Sequence, residues 1–379
     1  MTKYDPEIVD KIKIKDDKAV ITAVINYYDA GGLRKMIEYC VEMKCSKITI
    51  DISAEPILIF YHDNECVFDI LRQACLDLDL CENNITLISG DHCVRGNFNH
   101  WRSHSNYRDC NLNVKFIDRW SFHMTDHTPP TDPYTPYKDK IKPKYFTCFN
   151  RAMRTHRIML CDSFYSNRLF TKHKNKHIST FIGAASVRPH VLALARQDVH
   201  LIPQRCIENG STNRDTVPQH GDIGEVFIQT FHDTYYDIIT EYYDAEQYPS
   251  REKYKEFCEQ FPWAENMCIS EKIYRSIYYR RPFLVLGNRR ILSHLHSLGY
   301  KTFGNLFDES YDDASNIVGR MKAMMSENMK IVNRPIEELH EKCYTNEMQD
   351  IIEHNRENLI QHADFDSKEL RLYKNFQNS

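Results

Sequence analysis

The residues best suited to chemistry in this sequence are Ser270, Glu271 and Lys272, which stand together at the start of a predicted helix. Serine is a favoured N-cap, and a carboxylate in the first turn suits the positive end of the helix dipole. The carboxylate can accept hydrogen bonds from two sugar hydroxyls, while the ammonium and the free helix amides can bind phosphate. The triplet therefore indicates a site for a ribose that carries a diphosphate.

The elements that must hold this triplet are predicted by the residues that follow it. Ile273 and Ile277 form an apolar stripe at helical spacing. Pro282 predicts the end of the helix, and residues 283–287 read as a short buried strand that ends in a turn. A helix start that is backed by a buried strand is thus expected around Glu271.

A second group of polar residues follows another predicted strand, at residues 145–149. Asn150, Arg151, Arg154 and Arg157 lie between this strand and the next predicted helix. Ligands of open α/β sheets bind at the carboxyl ends of the strands, and arginines there would stabilise the charge of a departing diphosphate. The alternative is a solvated basic helix face. We favour the binding site, because positive charge at a helix start opposes the helix dipole.

The segment ISEKIYRSIYYRRPFLVLG, residues 269–287, resembles the donor-binding motif of α-1,3-fucosyltransferases and related GT-B glycosyltransferases. The resemblance covers roughly the C-terminal half of the chain. It implies an α/β fold of GT-B type, with two Rossmann-like domains facing a cleft and C-terminal helices. It also implies a UDP- or GDP-linked sugar donor and no metal cofactor. Donor binding would fall to Asn150, Arg151, Arg154, Arg157, Ser270, Glu271 and Lys272, although the spacing around Asn150 departs from the family pattern.

The domain organisation follows from the alternation of predicted strands and helices. Residues 1–125 predict a Rossmann-like acceptor domain. Residues 126–144, which are rich in proline and then in lysine, predict a linker. Residues 145–379 predict the donor domain with a helical tail.

A general base for an inverting reaction is expected in the N-terminal domain, where it would take a proton from the acceptor hydroxyl. Asp91 and His92 directly follow a predicted strand at residues 85–89 and are our first candidates. The rivals are Asp63 and Glu65, and His62 and His100 are further candidates outside this group. Each of these residues alone is more often a loop-capping residue than a base.

Composition limits the class of protein. The net charge of −4 disfavours a globally basic nucleic-acid binder. No apolar run approaches the length of a membrane span. The thirteen cysteines include no Cys-x-x-Cys pair, and they predict free, mostly buried thiols in a reducing cytoplasm. We therefore expect a cytoplasmic protein, in the host cytoplasm if a phage encodes it.

One segment is strongly basic despite the acidic total. Residues 134–180 contain eleven Lys and Arg against two Asp, with tyrosines interleaved. Such a segment could form a nucleic-acid groove, or it could combine the phosphate site with exposed loops. Together with the resemblance, it makes 5-hydroxymethylcytosine in phage DNA the first expected acceptor. A glycan or lipid-linked saccharide is the alternative acceptor, and a non-catalytic nucleic-acid-binding protein is the alternative of another class.

Overall fold

The computed structural model describes most of the chain apart from its termini and several internal segments. The described residues are 4–22, 30–53, 59–60, 65–104, 107–118, 120–121, 140–150, 154–182, 210–212, 230–241, 255–256, 259–260, 267 and 269–378.

The chain has the expected α/β class and divides into two compact units. The first unit contains Met1–Phe122, Glu252–Cys268 and Ala363–Ser379, and the second contains His123–Arg251 and Ile269–His362. Each unit has one five-stranded sheet with parallel and antiparallel pairs. The boundaries differ from the prediction, since two later segments of the chain belong to the first unit.

The first unit builds its sheet in the order β1-β2-β3-β6-β7, in which only β1 is antiparallel to its neighbour. Its strands are β1 Ile12–Lys15, β2 Lys18–Thr22, β3 Lys47–Ile52, β6 Ile85–Ser89 and β7 Asn113–Phe116, with β4 Ile59–Phe60 and β5 Glu65–Cys66 forming a separate pair. Its helices are α1 Pro6–Val9, α2 Ala30–Glu42, α3 Val67–Asp77 and α4 Val94–His104.

Strand β6 agrees with the strand predicted at residues 85–89, whereas α2 begins with residues that disfavour a helix. Gly31 and Gly32 lie inside the first turn of α2. Burial of Leu33, Met36 and Ile37 stabilises this helix and outweighs the low helix propensity of glycine.

The second unit orders its sheet as β10-β9-β8-β11-β12. The strands are β8 Lys144–Asn150, β9 His177–Ile182, β10 Gly210–Thr212, β11 Thr234–Thr240 and β12 Phe283–Leu286, and only β10 is antiparallel to its neighbour. The helices are α5 Thr155–Ser166, α6 Glu271–Tyr278, α7 Ile291–Ser297, α8 Ile317–Val332, α9 Ile336–Cys343 and α10 Asn346–Asn378. The last helix belongs to the second unit up to His362 and to the first unit from Ala363.

Strand β11 lies between β8 and β12, and all seven of its residues are buried. Successive side chains of a strand point to opposite faces. On one face, the Tyr236 hydroxyl donates to Asn328 of α8 at 2.7 Å. On the other face, Asp237 accepts a hydrogen bond of 2.6 Å from Ser276 of α6. The strand therefore organises two layers of helices at once.

The amino end of β11 is fixed by two buried cations. The Lys142 ammonium donates to the carbonyl oxygens of Phe231 and Thr234, each at 2.9 Å. The Arg281 guanidinium donates to the same two oxygens at 3.0 and 2.9 Å, and to Asp237 at 2.9 Å. Lys142 is thus part of the core, although the sequence analysis placed it in a linker.

We predict that Lys142 makes the free energy of unfolding rise with pH between pH 7 and pH 9. Burial, and then the charge of Arg281, lower the pKa of Lys142 from 10.5 to about 7 in the folded chain. Between these two values the unfolded chain binds more protons, so this group makes stability rise with pH by up to about 1.4 kcal/mol per unit. Urea unfolding at pH 7, 8 and 9 should therefore show the wild type gaining stability relative to Lys142→Met.

The exposed Lys140 provides the control, because Lys140→Met removes a lysine that lies in solvent. The Lys140→Met and wild-type stabilities should keep a constant difference over the same pH range. A constant difference for Lys142→Met as well would contradict the prediction.

Candidate functional site

The sheet of the second unit has a topological switch point between β8 and β11. From β8 the chain passes through α5 to β9 on one side, whereas β11 and β12 lie on the other side of β8. Oppositely directed right-handed crossovers place their helices on opposite faces and open a crevice at the carboxyl ends of the two central strands. The last residues of β8 and β11, Asn150 and Thr240, stand at this crevice.

Asn150, Thr240 and Arg157 form a buried hydrogen-bonded cluster there. The Thr240 hydroxyl donates to Oδ1 of Asn150 at 2.6 Å, and Nε of Arg157 donates to the same hydroxyl at 3.0 Å. Nδ2 of Asn150 donates to the sulfur of Cys148 at 3.3 Å. Two residues that the sequence analysis proposed for one ligand are thus joined by a threonine that it did not identify.

The start of α6 has the predicted cap. The Ser270 hydroxyl accepts a hydrogen bond of 3.3 Å from the backbone N–H of Lys272. The Lys272 ammonium donates to the Ser270 hydroxyl and to Oε1 of Glu271, each at 3.0 Å. These contacts hold all three predicted residues in one turn, and the stripe of Ile273, Tyr274 and Ile277 is buried below it.

The Glu271 carboxylate is held ionised. Burial alone would raise the pKa of Glu271, but the charge and hydrogen bond of Lys272 and the charge of Arg275 lower it to about 2. An ionised carboxylate can only accept hydrogen bonds. At neutral pH the residue is therefore suited to a ligand group that carries hydroxyl donors.

Glu241 follows β11 directly and was not identified from the sequence. Its Oε1 accepts hydrogen bonds from the backbone N–H of Ser270 at 3.2 Å and from the Ser270 hydroxyl at 2.7 Å. Burial, partly offset by Lys272, raises the pKa of Glu241. The sequence shows only that Glu241 is an acidic residue at the end of an apolar strand. Its partner Ser270 lies 29 residues further along the chain, so their contact could not be recognised locally.

The predicted donor-binding residues are therefore distributed in a definite way. Asn150, Arg157, Ser270, Glu271 and Lys272 gather around the end of β11 through Thr240 and Glu241. Arg154 is the exposed N-cap residue of α5, while Arg151 lies outside the described residues.

The basic segment does not form one surface. Arg154 and Arg157 follow the carboxyl end of β8, whereas Lys140, Lys172 and Lys174 precede the amino ends of β8 and β9. A strand of seven residues separates these two edges by roughly 20 Å. Within the described residues, the positive charges thus divide between opposite edges of the sheet.

In the first unit, Asp91 shapes the loop after β6. The Asp91 side chain is fully buried. Its Oδ1 accepts hydrogen bonds from the backbone N–H groups of Cys93 at 2.9 Å and Met267 at 3.0 Å, and its Oδ2 accepts one from Asn97 at 3.4 Å. These contacts suit a loop-capping residue, and the assignment of Asp91 as general base stays a prediction.

His92 completes the same loop. Its backbone N–H donates to the carbonyl oxygen of Met267 at 3.1 Å, and its ring packs on Phe116 with 4.5 Å between centroids. Among the rival candidates, Glu65 begins β5 and His100 lies on α4, and both are exposed. His62 and Asp63 lie outside the described residues.

Two further carboxylates, at the ends of the strands on either side of β6, were not identified from the sequence. Asp51 of β3 accepts from the backbone N–H of Ser53 at 2.9 Å. Asp118, after β7, accepts from the backbone N–H of Ser121 at 3.0 Å. The carboxyl edge of this sheet is therefore built by buried aspartates that cap their own loops. In the described part of the chain, no three His, Cys, Asp or Glu side chains are grouped to hold a metal ion.

Comparisons with protein-family models, with curated proteins and with solved structures found no match. Of the helices in the described ranges, none combines the length and apolar character needed to cross a membrane.

We predict that Gly90 is needed for the close packing of the Asp91 loop. A Cβ atom at Gly90 would overlap the carbonyl oxygen of Ser53, so the backbone would have to shift. Gly90→Ala should lower the free energy of unfolding by about 1–3 kcal/mol, as measured by urea denaturation.

Gly96→Ala is the matched control, because nothing in the described structure lies within 4 Å of a Cβ at this position in α4. Alanine favours a helix interior, so Gly96→Ala should be neutral or stabilising by up to about 1 kcal/mol. Equal effects of the two substitutions would contradict the steric explanation.

Proposed function

We propose that this chain is a nucleotide-sugar-dependent glycosyltransferase of GT-B type whose second unit binds the donor. The observation that carries the proposal is the grouping of Asn150 and Arg157 with Ser270, Glu271 and Lys272 at the switch point of a parallel sheet. Sequence resemblance had assigned both groups to one ligand. In the structure both groups contact residues at the end of β11. This supports the assignment, because the assignment was made without knowledge of the order of the strands.

The two groups have complementary chemistry for a nucleoside diphosphate. We define the phosphate half of the site as Asn150 and Arg157, and the ribose half as Ser270, Glu271 and Lys272. The ionised Glu271 would accept hydrogen bonds from the two ribose hydroxyls. The Arg157 guanidinium would face the phosphates as a bidentate donor, and Lys272 would add a second positive charge beside Glu271.

In the proposed reaction, the bond between the anomeric carbon and the phosphate oxygen breaks, and a bond from that carbon to the acceptor oxygen forms. The electron pair of the broken bond leaves with the nucleoside diphosphate. The cations of the site stabilise the negative charge that develops there. A base takes the proton of the acceptor hydroxyl in an inverting reaction, and Asp91 is the first candidate for that role. The buried position of Asp91 requires its loop to open for this step.

The first acceptor that we propose is 5-hydroxymethylcytosine in DNA, and the alternative is a glycan or lipid-linked saccharide. A purely nucleic-acid-binding protein receives less support. Its main support was the basic segment, and the described charges of that segment divide between two edges of the sheet. The DNA acceptor is therefore proposed from the resemblance and not from a continuous basic surface.

We predict that a nucleoside diphosphate stabilises the wild-type protein. Thermal unfolding should be followed with UDP, GDP, CMP and their sugars, and with NAD and ATP as controls. Ligand at 100 times its dissociation constant contributes about 2.7 kcal/mol, which shifts the midpoint by several degrees. Glu271→Gln should weaken binding at least tenfold, because the amide loses the charge while it keeps the size of the side chain.

Glu347→Gln removes an exposed carboxylate of α10 in the same unit and should leave nucleotide binding unchanged. If no nucleotide stabilises the wild type, the proposed function is wrong. Equal binding by Glu271→Gln and the wild type would instead remove Glu271 from the site.

The acceptor is tested by transfer of a radiolabelled sugar from the stabilising nucleotide. We expect incorporation into duplex DNA with 5-hydroxymethylcytosine and none into the same duplex with cytosine, which lacks the hydroxyl. Incorporation into a glycan or lipid-linked acceptor instead would replace the DNA assignment. Salt-dependent DNA binding by both the wild type and Glu271→Gln, without any transfer, would favour the binding protein.

A further inference from the structure

Two adjacent buried residues, Thr240 at the end of β11 and Glu241 directly after it, each contact a different half of the candidate site. Thr240 contacts the phosphate half through Asn150 and Arg157, whereas Glu241 contacts the ribose half through Ser270. Both residues are only 1% exposed. Since they have no solvent to satisfy their polar groups, these contacts determine their orientation.

Successive side chains of a strand point to opposite faces, which explains why the neighbours Thr240 and Glu241 contact different halves of the site. Thr240 is on the face of Tyr236, which contacts α8, and its hydroxyl meets Arg157 of α5 on that face. Glu241 continues the face of Asp237, which contacts Ser276 of α6. The Asp237 side chain thus contacts the later part of α6 at Ser276, and the Glu241 side chain contacts the N-cap of α6 at Ser270.

We propose that Thr240 and Glu241 are a positioning pair, in which Thr240 sets the phosphate half and Glu241 sets the ribose half of the donor site. The inference rests on the proposed function, since it concerns the same site. Neither residue needs to touch the donor. Thr240 acts by fixing the Arg157 guanidinium and the Asn150 amide, and Glu241 acts by fixing the turn that carries Glu271 and Lys272.

The geometry makes the two roles separable. Glu241 accepts both the N–H and the hydroxyl of Ser270, and the same hydroxyl accepts hydrogen bonds from Lys272. Glu241 is therefore linked through Ser270 to Lys272 and Glu271, which belong to the ribose half. Loss of the Thr240 hydroxyl removes the bridge between Asn150 and Arg157, which belong to the other half.

The test uses the nucleoside diphosphate, UDP or GDP, that stabilises the wild type, together with its 2′,3′-dideoxy counterpart. Calorimetric dissociation constants for both ligands give the preference for the ribose hydroxyls. We expect the wild type to prefer the ribonucleotide. Glu241→Gln should reduce this preference at least fivefold, while binding of the dideoxy ligand changes little.

Thr240→Val should give the opposite pattern. Valine has nearly the shape of threonine without its hydroxyl, so both ligands should bind about tenfold more weakly and the preference should stay at the wild-type value. Thr240→Ser restores a hydroxyl and should recover most of the lost affinity. A general loss of structure would instead change both the affinity for the dideoxy ligand and the ribose preference in both variants. If Thr240→Val acted only through altered packing, Thr240→Ser would not restore the affinity.

A second measurement guards against variants that fold poorly. Hydrogen exchange of the unliganded protein should become faster across residues 270–274 in Glu241→Gln, with residues 317–332 of α8 protected as in the wild type. Ser270→Ala, which removes only the shared hydroxyl, should reproduce the loss of ribose preference.

The outcomes separate this inference from the proposed function. If the wild type binds a nucleotide and Glu241→Gln and Thr240→Val retain wild-type constants, the positioning pair is wrong while the proposed function stands. If both variants lose affinity with the same pattern, the division into two roles is wrong. If the wild type binds no nucleotide, the proposed function fails and the inference fails with it.

Discussion

The complete burial of β11 is the constraint on which the second unit depends. A polar group inside a protein is costly unless it is hydrogen-bonded, and a charge must also be balanced. Asp237 satisfies this requirement with Arg281 and Ser276, and these contacts lower the pKa of Asp237 although burial would raise it. The polar residues of the strand thereby determine where α6 and the start of α5 lie.

Much of the site was predictable where its signals were local. The N-cap Ser270, the first-turn Glu271 and the apolar stripe below them are encoded within a few residues, and the structure confirms the helix. The strand Phe283–Leu286 was also predictable, because an apolar run follows a proline. Capping and periodicity depend on neighbours in sequence, so they can be recognised without knowledge of the tertiary fold.

The rest depended on contacts between distant parts of the chain. Thr240 meets Asn150 across 90 residues, and Lys142 meets Thr234 across 92. Nothing around Lys142 indicates that its charge is buried, and the lysines beside it suggested a solvated linker. The basic segment was treated as one feature for a similar reason, since closeness in sequence was taken as closeness in space. The order and direction of the strands separate its charges.

The alternation of side chains along β11 also determines which changes of sequence the fold tolerates. Moving a strand by one residue exchanges every side chain between its two faces. A one-residue deletion between Thr234 and Thr240 would turn Asp237 away from Arg281 and bring aromatic or aliphatic side chains to the polar partners of α6. Substitutions in this strand alter one contact at a time, whereas a change in its length alters them all. A change in the number of residues in β11 is consequently more disruptive to this sheet than the replacement of any one of them.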